Sequence, residues 1–194
     1  MADFAPAIAI LLEHEGGFAE RDAGRAGCVN RGLTQRRIMD TKRAQTWEEA
    51  YTFVKEMTLE EARGIYKDDY WDKHQLGKID SQRFATVLFS TMANMGEGTA
   101  VKNLQKALGI TADGKLGPLT LASLNGMAPA EVEEKWKQRL VDYYTQIAPR
   151  VGPRYLKGWL ARVDELFGES DPVENWDSGG PRMHGISEHI RENL

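Results

Sequence analysis

Two Thr-x-x-Glu boxes in quick succession, Thr46-Trp47-Glu48-Glu49 and Thr58-Leu59-Glu60-Glu61, narrow the possible folds of this chain more than any other local signal. In each, the threonine hydroxyl and the glutamate one turn on satisfy each other's free backbone amides, so each starts a helix. Apolar spacing extends the pattern. Phe84, Val87, Leu88, Thr91 and Met95 recur at the helical period and predict a buried central helix over Ser81 to Met95, closed by Gly96. Leu104 and Leu108 carry a further helix ending at Gly109, and Gly117-Pro118 sets a proline at the first position of a short helix over Leu119 to Leu124. Pro129 opens a long helix through Tyr144, and another runs from about Tyr155 to Phe167. Asp113-Gly114 is a turn signal, in which Asp113 is expected to bond local backbone. Strand-like alternation is scarce. The expected class is mainly α, with the glycine-rich stretch from Gly16 to Gln35 forming an irregular loop or short hairpin after the first helix. Asp171 to Pro181, rich in Gly, Pro and charge, reads as a tail.

A length of 194 residues suits one compact, bilobed unit. The 25 basic and 29 acidic residues leave a net charge of −4 with no long block of either sign, which argues against nucleic acid as a partner. Cys28 is the single cysteine, so no internal disulfide staples the fold. With no histidine close by to act as its base, it reads as a small buried residue rather than a catalytic thiol. The start of the chain lacks a basic run, and its apolar stretch from Ala5 to Leu12 is short; neither a signal peptide nor a transmembrane span is expected. His14 has no second histidine at ligand spacing, so no metal or other cofactor is expected.

One acidic residue stands apart. In Leu11-Leu12-Glu13-His14-Glu15-Gly16-Gly17-Phe18, the apolar positions Phe4, Ile8, Leu11 and Leu12 form a helical stripe, and Glu15 continues it while Glu13 faces the opposite side. An acid at the negative end of a helix and partly buried is favoured in its protonated form, as a general acid requires. The alternative is a glutamate fraying outward before a glycine cap.

Three segments carry a resemblance: "HEGGF" from His14 to Phe18, "AGCVNRGLTQ" from Ala26 to Gln35, and "IYKDDYW" from Ile65 to Trp71. Their order and spacing resemble the glycoside hydrolase 108 muramidases, found as phage endolysins and bacterial secretion-associated lysozymes. The stretch from Phe89 to Leu124, with "LQKALG" and "DGKLGPLT", resembles the family's companion peptidoglycan-binding region, and "YLKGWLAR" from Tyr155 to Arg162 resembles its ending. The resemblance implies a lysozyme-like fold divided into a catalytic region (1–90), a helical peptidoglycan-binding-like region (91–168) and a tail (169–194). It also maps the family's catalytic glutamate onto Glu15. The family's T-N-Y-G-I-T element maps onto Val29-Asn30-Arg31-Gly32-Leu33-Thr34, keeping Asn30, Gly32 and Thr34 but losing the first threonine and the aromatic, and the resemblance implies that Asn30 contacts substrate; Ser90 stands where an aspartate is common.

The resemblance implies cleavage of the β-1,4 bond between N-acetylmuramic acid and N-acetylglucosamine in bacterial peptidoglycan. Glycoside hydrolysis commonly uses a second carboxylate; Asp22 is the nearest candidate and Glu20 the next, each alternatively a solvated loop charge. Thr34 either helps hold a water or caps the helix after it. Tyr70 and Trp71 either stack on sugar rings or form helix-end core, and Asn94 either bonds an N-acetyl group or caps a helix. Two rival readings stand beside the muramidase: a lytic transglycosylase using Glu15 alone, and a non-catalytic peptidoglycan-binding protein. The expected enzyme is a monomer made in the bacterial cytoplasm, acting on the wall in the periplasm or outside, and reaching it through a holin or a secretion system.

Overall fold

The computed structural model describes residues 1–20 and 26–167. The first helix, α1, spans Phe4–His14, capped by Asp3, whose carboxylate accepts from the Ala5 N–H at 3.2 Å. A two-stranded antiparallel hairpin follows, β1 (Val29–Asn30) and β2 (Leu33–Thr34), pairing Val29 with Thr34 and Asn30 with Leu33. Then come α2 (Gln35–Asp40), α3 (Trp47–Glu56) and α4 (Leu59–Tyr66), the last passing into a π-helical turn over Lys67–Asp72. Both Thr-x-x-Glu boxes form as expected at the starts of α3 and α4, with each reciprocal pair of bonds present. The expected fold class holds: the described residues are mainly helical and the glycine-rich stretch contains a short hairpin.

The central helix α5 (Gln82–Met95) is buried along most of its length and stops at Gly96, whose φ of 86° an L side chain rarely adopts. α6 (Glu97–Ala107) turns away from that glycine, followed by α7 (Pro118–Asn125), α8 (Pro129–Val151) and α9 (Leu156–Leu166). The division expected at residue 90 falls inside α5, and the chain changes direction only at Gly96. α8 runs almost two turns past Tyr144 because Ile147, Ala148 and Val151 keep its inner face apolar, and it carries Pro149 within its last turn. The Asp113 carboxylate accepts from the Lys115 N–H at 2.8 Å and from Gln105 Nε2 at 2.6 Å, the local bonding expected of an Asp-Gly turn.

One contiguous core joins the elements from α1 to α9. Phe89 of α5 sits at its aromatic centre, with Phe4, Tyr66, Tyr70 and Trp71 around it at centroid distances of 5.7–6.3 Å, mostly edge to face. Cys28 is buried and unbonded to any other cysteine. No helix among the described residues is long and apolar enough to cross a membrane.

Candidate active site

The Glu15 carboxyl is delivered by a local break rather than by a helix face. α1 ends at His14, one residue before the stripe reaches Glu15, and Glu15 takes up an extended conformation (φ −87°, ψ 127°) with its N–H on the Leu12 carbonyl. The cause lies outside the helix. Arg31, at the tip of the β1–β2 hairpin, donates its N–H to the Gly16 carbonyl at 2.9 Å and so draws the chain off the helical path. Ala19 and Val29 add a two-bond bridge that seats the hairpin alongside. Glu13 is exposed and Glu15 half-buried, so the separation expected of the two glutamates holds.

The hairpin turns on Arg31 and Gly32, which have φ of 50° and 78°, as a two-residue I′ turn requires. At Gly32 the glycine is needed twice over. A Cβ there would lie 2.5 Å from the Glu15 carboxyl carbon and 2.6 Å from the Tyr66 hydroxyl oxygen. The catalytic candidate therefore packs against the bare α-carbon of the hairpin turn, beside a buried phenol. Tyr66 donates its hydroxyl to the Arg31 carbonyl at 3.0 Å, holding the turn from below. Burial pushes the Tyr66 phenol well above its ordinary range, and the negative charge of Glu15 pushes it further, so the hydroxyl keeps its proton.

Thr34 and Asn30, expected from the same hairpin to help at the site, are occupied in building it. The Thr34 hydroxyl caps α2, accepting from the Arg37 N–H at 3.1 Å. Asn30 is buried, and its amide donates to the Val54 carbonyl at 2.9 Å, tying the hairpin to the end of α3. Tyr70 and Trp71, each 5% exposed, lie in the aromatic core, with the Arg37 guanidinium 4.4 Å over the Tyr70 ring. The structure thus puts them in helix-end core rather than in an open cleft where a sugar could stack. Asn94 is no helix cap: Gly96 ends α5, and the Asn94 amide donates to the Ser90 carbonyl at 2.9 Å within the helix. Glu20 is exposed and accepts from the Tyr51 hydroxyl at 2.6 Å. Asp22 lies outside the described residues.

A second carboxylate cluster went unread in the sequence. Glu97, the first residue of α6, accepts from Arg37 at 2.7 Å and from Lys73 at 2.6 Å, with His74 Nε2 2.7 Å away. Arg37 also reaches Asp69, at 3.3 Å, and Arg43 grips Asp69 with two bonds of 2.9 Å. Burial alone would raise the Glu97 carboxyl, but His74, Lys73 and Arg37 outweigh it and hold the group well below the usual carboxylate range. A permanent anion so engaged is a tie between α2, the π-helical turn and α6, unsuited to donating a proton. Its partners come from two distant segments, Arg37 and the pair Lys73-His74, which left no local pattern to find. Tyr66 could have been found: it precedes Tyr70 by one turn in the quoted "IYKDDYW".

Residues 8–96 match the Glycosyl hydrolase 108 family, and residues 99–164 match a family described as Predicted Peptidoglycan domain. The solved structure of SagA from Brucella abortus is similar in fold, with a TM-score of 0.73 and 24% sequence identity, over 84% of this chain and 90% of that one. No curated protein sequence matches the chain.

Proposed function

We propose, from a chain whose residues 8–96 belong to the glycosyl hydrolase 108 family and whose residues 99–164 belong to the predicted peptidoglycan domain, that this peptidoglycan-acting hydrolase is an N-acetylmuramidase with Glu15 as its general acid. The observation that carries the reading is the seat of the Glu15 carboxyl. It is half-buried at the end of α1, pressed against the α-carbon of Gly32 and next to the Tyr66 phenol. This wall of backbone and buried hydroxyl fixes the carboxyl's position. Position is what general acid catalysis needs, because the proton must travel to one atom.

In the proposed reaction, Glu15 gives its proton to the oxygen linking the two sugars as the bond from that oxygen to the anomeric carbon of N-acetylmuramic acid breaks. Water adds its oxygen to that carbon and loses a proton to solvent, from which the Glu15 carboxylate is reprotonated, leaving a reducing muramic end. Mass analysis of digested cell wall tests this: reducing muramic ends are expected. Anhydro-muramic ends would mean a lytic transglycosylase, and no soluble fragments would mean a binding protein.

A further inference from the structure

Away from Glu15, an open groove of about 420 Å³ lies where the two matched regions meet. Lys73 and His74 line it from one side, and Gly98, Gly114, Lys115 and Gly117 from the other. Gly114 has a φ of 80°, which the turn after Asp113 requires. Gly98 and Gly117 are different. Neither has a positive φ, and a Cβ on either would meet nothing within 4 Å. Gly98 stands in the first turn of α6, where alanine is the better helix former. Neither backbone geometry nor packing calls for glycine at these two positions; what they provide is room in the groove. Its cationic side chains outnumber its one carboxylate, Glu97, which Arg37, Lys73 and His74 already engage. Among the described residues no aromatic ring lines it, so their surface lacks the flat apolar face that suits a sugar.

We propose that this groove holds a carboxylate-bearing stem peptide of peptidoglycan, docking the wall beside the catalytic region. The inference rests on the peptidoglycan reading but not on the chemistry assigned to Glu15.

Co-sedimentation with purified sacculi stripped of accessory anionic polymers tests it, using Glu15→Gln as the parent so that the wall stays intact. Gly98→Ala and Gly117→Ser each fill the groove while improving a helix position, since Ser also caps α7. Both should melt at or above the parent's temperature, yet bind sacculi about tenfold more weakly, equivalent to about 1.4 kcal/mol. Lys115→Glu should lose as much, and the parent's binding should weaken with added salt. Gly64→Ala is the control: Gly64 is an exposed glycine of α4 outside the groove, again with nothing within 4 Å of a Cβ, and its variant should bind as the parent does. A soluble stem peptide should release the bound protein, and peptide-free glycan should not. Unchanged binding in the three groove variants would overturn the proposal. So would release by glycan alone, or a parent that does not sediment. A wild-type protein that sediments in this groove-dependent way but frees no fragments would instead sink the muramidase reading and leave the groove standing.

Discussion

Glu15 and Glu97 are the same side chain at opposite helix ends, and the contrast sets the carboxyl proposed to react against one held in an ion-pair cluster. Glu97 stands in the first turn of α6, where the macrodipole favours an anion, and Arg37, Lys73 and His74 close round it. Glu15 stands just past the last turn of α1, where the macrodipole does not favour an anion, against a bare glycine α-carbon and a phenol. Burial alone does not distinguish them. Glu97 is tied into an ion-pair cluster, whereas Glu15 packs against a hairpin turn.

The contrast breaks most completely at Gly32. Gly32→Ala adds a methyl where the Glu15 carboxyl now sits and puts an L side chain at a φ of 78°. It should lower clearing of purified cell walls by about 10² or more, since the carboxyl proposed as general acid is displaced. The strained turn should also cost roughly 1–3 kcal/mol in a thermal melt. Clearing at the wild-type rate would mean that the carboxyl does not act from its observed seat.

Glu97→Gln should act on stability instead, at about 1–3 kcal/mol, because it removes the carboxylate that Arg37, Lys73 and His74 share while Arg37 keeps Asp69. The pH dependence has a definite sign. A carboxyl held below its ordinary value contributes stability that is fully present above that value, 4.5 for glutamate, and is lost as the pH falls below it. Denaturant titrations across acidic pH should therefore show the wild type weakening below about pH 4.5 and the Gln variant losing less over the same range. Parallel curves would remove the cluster's assigned role.

A smaller effect is expected where α9 meets α5. Arg162 donates to the Ser90 hydroxyl at 3.1 Å, and its buried Nε has no hydrogen-bond partner among the described residues. Ser90→Asp should supply a carboxylate to that guanidinium and raise stability by about 1 kcal/mol, seen as a higher melting temperature with unchanged wall clearing. A lower melting temperature would show that the added charge is not paired.

What could be read from the sequence was what its neighbours in the chain decide. The capping boxes at Thr46 and Thr58 and the stop at Gly96 rest on contacts within a turn or so, and all three formed. Glu15 was singled out by periodicity, but its carboxyl is placed by a hairpin some fifteen residues on, through the bond from Arg31 to Gly16. Asn30 bonds carbonyls 24 and 27 residues away, and Glu97 draws partners from α2 and the π-helical turn, so neither role leaves a local trace. Tyr70 and Trp71 show the same limit: an aromatic pair at a helix end has one sequence whether it lines a cleft or fills a core.

The most direct test compares two glutamates only two residues apart. Glu15→Gln and Glu13→Gln each remove one carboxylate at nearly constant size, one from the half-buried seat beside Gly32 and one from the exposed side of α1. Turbidity clearing of purified cell walls, measured beside a thermal melt of each variant, should fall by about 10²- to 10⁴-fold for Glu15→Gln and hold near wild type for Glu13→Gln, with both proteins folded. A folded and fully active Glu15→Gln, or equal losses in the two, would contradict the assignment of Glu15 as the proton donor.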